Sequence, residues 1–167
     1  RPDNVGYPAR AIRTNNYLYI ENFKTDRWPA GDPAGLDKVV LKEKTADMKP
    51  ILEGYEDIDD SPTKSFMIKN KAKYAKLFKM GFEKRKSEEL YDIQKDPFCL
   101  NDLSEQANLN KIKAQLKTKL DQSLTTQGDP RVLGNGDIFD SYPRFGLMRP
   151  FEGFKKRGKY NPAFIKK

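Results

Sequence analysis

The chain has 167 residues, with 32 Lys and Arg, 24 Asp and Glu, one Cys and no His, for a formal net charge of +8. This length suits one domain or one large subdomain. Without imidazole there is no Ser-His-Asp triad, Cys-His pair or His-ligated zinc, and with Cys99 alone there is no internal disulfide and no Cys-rich metal site.

Val5 to Phe23 reads as a β-hairpin. Ala9, Ala11 and Arg13 alternate in position with Arg10 and Ile12, and Tyr17, Tyr19 and Glu21 with Leu18, Ile20 and Asn22. Both runs are short, β-branched and aromatic, and Thr14-Asn15-Asn16 supplies a turn that tolerates left-handed backbone. Asp26 to Asp60 is loop-rich, punctuated by Trp28-Pro29, Gly31-Asp32-Pro33 and Gly35, with Val39-Val40-Leu41 as a short strand. It ends in the acidic cluster Glu56, Asp57, Asp59 and Asp60, which lacks the Gly and terminal Glu of a calcium loop. Ser61-Pro62 opens a helical stretch over 61–81, because Ser caps free N–H groups and Pro fits the first helical position. Phe66, Ile68, Tyr74, Leu77 and Phe78 are its expected core side chains, Asn70-Lys71 its expected break and Gly81 its end.

Residues 89–93 read as a strand, and Lys95-Asp96-Pro97 as a turn. Cys99 lies between large apolar residues and reads as a small buried hydrophobe. Leu109, Ile112, Leu116, Leu120 and Leu124 recur at spacings of three and four, which predicts a helix over 105–126 with one apolar stripe, capped by Asn101 or Ser104 and stopped by Gly128-Asp129-Pro130. Lys111, Lys113, Lys117 and Lys119 fall off that stripe. Residues 131–167 are rich in Gly, Pro and aromatics without periodicity and read as an extended basic and aromatic tail over a larger body. The expected fold is α+β: a small antiparallel sheet of about four strands with one long packed helix in residues 1–130.

Charge is uneven. Ser61–Lys86 carries nine basic residues and one acid, and Arg149–Lys167 seven and one, while the rest of the chain is net acidic. Two basic segments on an acidic body can draw a polyanion. No P-loop, dinucleotide-binding glycine motif, Gly-x-Ser-x-Gly or C-x-x-C is present. No apolar run approaches the ~18 residues of a membrane span, so no membrane partner is expected. The chain opens Arg1-Pro2-Asp3 without Met, as a fragment of a longer protein would.

Several segments together resemble a known family. Tyr7-Pro8-Ala9-Arg10-Ala11-Ile12-Arg13-Thr14 with Tyr17-Leu18-Tyr19-Ile20-Glu21-Asn22-Phe23 resembles the first hairpin of the C-terminal subdomain of sulfatases. Glu88-Glu89-Leu90-Tyr91-Asp92-Ile93-Gln94-Lys95-Asp96-Pro97, then Leu100-Asn101-Asp102-Leu103, resembles the Leu-Tyr-Asp strand and turn that precede that subdomain's long helix. Trp28–Pro33, Asp60–Lys64 and Gln127–Arg131 look like the branch related to heparan N-sulfatase (N-sulfoglucosamine sulfohydrolase). The likeness runs from Arg1 to about Tyr142.

The resemblance implies an alkaline-phosphatase-like sulfatase whose N-terminal catalytic domain, the expected partner, lies outside these residues. That domain would supply calcium and a formylglycine made from a Cys/Ser-x-Pro-x-Arg motif. No catalytic residue, metal or cofactor is then expected in this chain, which would complete the cleft for a sulfated glycan in the periplasm or outside the cell. Arg1, Asp3, Asn4, Tyr7, Asp60, Ser61, Thr63 and Lys64 are the substrate-binding residues it implies, and Arg10 and Arg13 would pair with carboxylates of the other domain. Under this reading nucleic acid is not an expected partner; the alternative is a stand-alone polyanion-binding module that takes a sulfated glycan or nucleic acid.

Overall fold

A computed structural model describes residues 6–31, 33, 39–40, 51–52, 54–55 and 57–141. They fall into two compact units, one from Gly6–Thr25 and Lys86–Pro143, the other taking in Asp26–Arg85. The expected α+β class holds. Among the described residues no helix is long and apolar enough to cross a membrane.

The first unit begins with a hairpin. Strands β1 (Ala9–Arg13) and β2 (Tyr17–Asn22) pair antiparallel, with Ile12 opposite Tyr19. The turn forms because Thr14 Oγ1 accepts from the Asn16 and Tyr17 N–H groups at 3.3 and 3.0 Å. A later strand, Glu88–Asp92, pairs antiparallel with β2, placing Leu90 opposite Tyr19; it lies one residue earlier than the expected 89–93.

The sheet has three strands among the described residues, not the expected four. The outer edge of Glu88–Asp92 is covered locally instead. Leu90 N–H donates to Asp102 Oδ1 at 3.1 Å, and Leu103 N–H donates to Leu90 O at 2.7 Å. Backbone groups that a fourth strand would satisfy are thereby used.

The second unit holds a ribbon of β3 (Val39–Val40) and β4 (Ile51–Leu52) and two helices, α1 (Pro62–Lys69) and α2 (Ala75–Phe82). The Glu88–Asp92 strand is therefore β5. The break between the helices comes at Asn70, as expected. Gly81 does not end α2; the helix runs one residue further, because Phe82 is needed in the core. The inward faces are Lys64, Met67 and Ile68 on α1 and Phe78 and Phe82 on α2, each set at helical spacing. Phe66 and Leu77 lie off those stripes and are half exposed, contrary to their expected place in the core.

In the first unit, α3 spans Asn110–Thr126, after a single 3-10 turn at Ala107–Leu109. Its expected start at Glu105 is too early. Ser104 does not cap it, because that hydroxyl is committed to Asp102 at 3.0 Å. The expected end is correct: Gly128 takes φ 70°, and the N–H groups of Gly128 and Asp129 return to the carbonyls of Thr125 and Leu124. Leu116, Leu120 and Leu124 are buried against Tyr19 and Leu90, with Ile12, Tyr17, Leu109 and Ile112 at the margin. Each of the buried leucines contributes about 1.5–3 kcal/mol of apolar transfer energy.

Residues 131–141, expected as the start of an extended tail, form turns and the short helix α4 (Ile138–Ser141), with Val132 against the core. The rest of the tail, residues 142–167, lies outside the described residues, as do Arg1, Asp3 and Asn4 of the expected binding set.

Candidate functional site

Asp60, Ser61, Thr63 and Lys64 meet at the start of α1, and the chain reaches this point through an aromatic anchor. Gly54 and Tyr55 take φ 91° and 49°, turning the chain so that the Tyr55 ring enters the core. That ring packs edge-on against Trp28, Phe78 and Phe82 at centroid distances of 6.3, 5.9 and 5.0 Å. Asp57 N–H then donates to Ala30 O at 3.1 Å, fixing the acidic loop. Ser61 is extended and its Oγ accepts from Lys64 N–H at 3.1 Å, while Pro62 opens the helix.

Lys64 does not reach outward. Its side chain is buried, and Nζ donates to Ile58 O at 3.1 Å and sits 3.4 Å from Asp60 Oδ1. This corrects the expected substrate contact: the ammonium satisfies the loop that precedes its own helix, as buried charge requires. Ser61 is spent on capping. Thr63 is exposed and Asp60 stands beside Lys64. Tyr7, in the other unit, lies half-buried two residues before β1.

The sequence reading did not find two polar constellations of the first unit. On the face of the sheet away from α3, Glu89 is buried between Asn22 and Tyr91. Asn22 Nδ2 donates to Glu89 Oε1 at 2.7 Å and to Lys86 O at 2.8 Å, and Tyr91 Oη donates to Glu89 Oε2 at 2.6 Å. An Asn closing β2, a residue type depleted in strands, was the available signal; Asn22 lies diagonal to Glu89, whose direct partner across the sheet is Ile20. The second constellation is Arg10 with Asp129, joined at 2.6 Å, while Arg131 lies over Phe139 at 4.7 Å. Arg10 is therefore paired within this chain, not reserved for a carboxylate elsewhere. Arg13 is exposed.

On the α3 face, Lys113 pairs with Glu88 at 3.0 Å and Lys117 with Glu21 at 2.6 Å. Off the apolar stripe, these lysines clasp the sheet margin. Burial works to raise the Glu88 carboxyl, but the bond from Tyr19 Oη at 2.7 Å and the Lys113 pair outweigh it and hold it below the ordinary range. Burial, then the bond to Glu88, push the Tyr19 phenol well above its usual value. For Asp102, burial is likewise outweighed, by donors from Ser104, Leu90 and Lys86.

Cys99 is half-buried at φ 53°, between Phe98, 80% exposed, and the exposed Leu100, so it is not the enclosed hydrophobe expected. Among the described residues no group of three His, Cys, Asp or Glu side chains converges as a metal site. A scan against protein-family models found no match to this chain, and a search of curated proteins found none either.

Proposed function

We propose that this chain is the C-terminal subdomain of a sulfatase that hydrolyses sulfate groups of sulfated glycans of the N-sulfoglucosamine, heparan type. The observation that supports the reading most is the meeting of distant motif segments. Asn22 of the hairpin motif bonds Glu89 of the Glu-Leu-Tyr-Asp motif, and Arg10 of the hairpin bonds Asp129 of the Gly-Asp-Pro-Arg segment. A strand order β1-β2-β5, followed by one long helix on one face, accords with it. Phe98 and Leu100 offer exposed apolar surface for a neighbouring domain.

The residues of this chain do not fit the catalytic groups of such an enzyme. Cys99 has Asn101 where a Cys-x-Pro-x-Arg motif requires Pro, and no described carboxylates converge on a calcium position. Formylglycine and calcium would come from outside these 167 residues, and no chemical step is assigned to this chain. Its part is to close the cleft on a glycan in the periplasm or outside the cell.

The test is sulfate release from N-sulfated and O-sulfated heparan saccharides by the full-length gene product that contains these residues. Inorganic sulfate released from them supports the reading. A full-length sequence without a Cys/Ser-x-Pro-x-Arg motif, or a protein inert on every sulfated saccharide, overturns it.

A further inference from the structure

The stretch Ser61–Phe82 holds six lysines and no acid. Lys64 is turned inward, but Lys69, Lys71, Lys73, Lys76 and Lys79 are exposed. Among the described residues, Lys69, Lys71, Lys73 and Lys79 pair with no carboxylate. In the first unit five of the seven lysines, Lys24, Lys86, Lys95, Lys113 and Lys117, have acidic partners, and the two that do not among the described residues, Lys111 and Lys119, stand on α3.

An aromatic pair stands within this unpaired charge. The turn after α1 is closed by Asn70, whose Nδ2 donates to Phe66 O at 2.8 Å and whose carbonyl accepts from Tyr74 N–H at 3.0 Å. This brings the Tyr74 ring to 5.5 Å from the Phe66 ring at a 42° tilt, with Lys73 Nζ 5.4 Å from the Tyr74 centroid. Phe66 is 50% exposed and Leu77 47%. The core under both helices is already filled by Met67, Ile68, Phe78 and Phe82, so neither outward side chain is needed for packing.

We propose that the outward surface of α1, α2 and the turn that joins them docks an anionic polysaccharide. Ammonium groups attract its sulfates without fixed register, and the Phe66–Tyr74 pair receives the apolar face of a sugar ring. Charge complementarity carries the polyanion; the choice of a sulfated glycan over other polyanions rests on the function proposed above. Lysines suit such a polymer because each is a flexible point charge with no bidentate geometry to satisfy. Rings amid cations suit a ligand with both anionic groups and flat apolar faces.

The experiment is calorimetric titration of the whole chain with size-defined heparin oligosaccharides at several salt concentrations. We expect affinity that falls as salt rises, through release of counterions. Lys69→Glu with Lys71→Glu and Lys73→Glu should weaken it about tenfold or more and flatten the salt slope. Phe66→Ala should weaken it about fivefold with the slope kept, and Phe66→Trp should restore it. Circular dichroism checks that each variant folds, and Lys→Gln versions of the same three positions give a second, milder series.

Affinity unchanged by both lysine series overturns the proposal, as does complete loss on charge reversal at Lys155, Lys156 and Arg157 alone. Tighter binding of single-stranded DNA of equal charge also overturns it and reassigns the face to nucleic acid. Sulfate release is measured separately. Heparin bound at this face without sulfate release by the full-length protein removes the sulfatase and keeps the face. Release with heparin affinity indifferent to these lysines removes the face alone.

Discussion

Arg10 on β1 and Asp129 just beyond the end of α3, 119 positions apart in the chain, meet at 2.6 Å between Nε and Oδ2. The pair ties the outer strand of the sheet to the end of its helix. Asp129 is held in place by the left-handed turn at Gly128, and its other oxygen accepts from Arg131 N–H at 2.9 Å. Both side chains are mostly shielded, so the contact counts for more than an open surface pair. Asp129→Asn should cost about 1–2 kcal/mol, read as a lower urea midpoint at unchanged slope. Arg10→Ala in the Asp129→Asn background should cost little more, because the two changes remove one interaction.

Stability should fall in acid, and the direction follows from three carboxylates. Glu88, Asp102 and Asp129 are each held below their ordinary values, burial being outweighed by hydrogen-bond donors and cations. A carboxyl depressed in the folded state stabilises the fold above its unfolded value and ceases to do so as pH falls through the folded one. Urea midpoints should therefore be level near neutrality. They should decline once pH drops below the ordinary carboxyl values of 4.5 for Glu and 3.8 for Asp. Glu88→Gln should lower the neutral midpoint and shallow the acid decline. A midpoint that rises on acidification would contradict the assignment.

Lys64 separates a structural lysine from a binding one. Lys64→Met keeps the aliphatic stem in place but leaves Ile58 O and the Asp60 carboxylate without the ammonium. The loss should be about 1–2 kcal/mol of stability by thermal or urea unfolding. Heparin affinity should not change, because this ammonium faces inward while the lysines of the outward face are untouched. Weaker heparin binding by folded Lys64→Met protein would return Lys64 to the binding set.

The α3 stripe is legible in the sequence because Leu116, Leu120 and Leu124 repeat at one spacing over a helix long enough to fix its own phase. The hairpin is legible because two short β-branched and aromatic runs flank an Asn-rich turn. Phase is not legible in α1 and α2, where eight residues allow more than one apolar stripe. Phe66 and Leu77 look as good for the core as Met67 and Phe82 do, and the choice falls to Tyr55, whose ring arrives from outside both helices. Lys64 and Glu89 are missed for another reason. Charged side chains are expected in water, and their burial depends on partners such as Ile58 O, Asn22 and Tyr91, which local pattern does not reveal. Of the candidate site, the Ser61 cap is readable from Ser-Pro alone; the inward turn of Lys64 is not.

Cys99 gives a chemical test of the loop that follows β5. Its N–H donates to Asp96 O at 3.0 Å, and its backbone sits at φ 53°, which turns the chain between Pro97 and Asn101. Burial first, and then the charge of Asp96, raise the thiol above its ordinary value of 9.0, while Arg13 acts the other way. Only the thiolate attacks an alkylating reagent. Iodoacetamide should therefore modify Cys99 slowly near neutral pH, although the residue is only half-buried, and the rate should still be climbing at pH 9.0. Asp96→Asn removes the nearby negative charge and should speed the reaction at fixed pH, while Arg13→Gln should slow it. A rate that levels off below pH 9.0 would mean that Arg13, not Asp96, dominates the thiol, and that the loop holds Cys99 nearer the β1 cation.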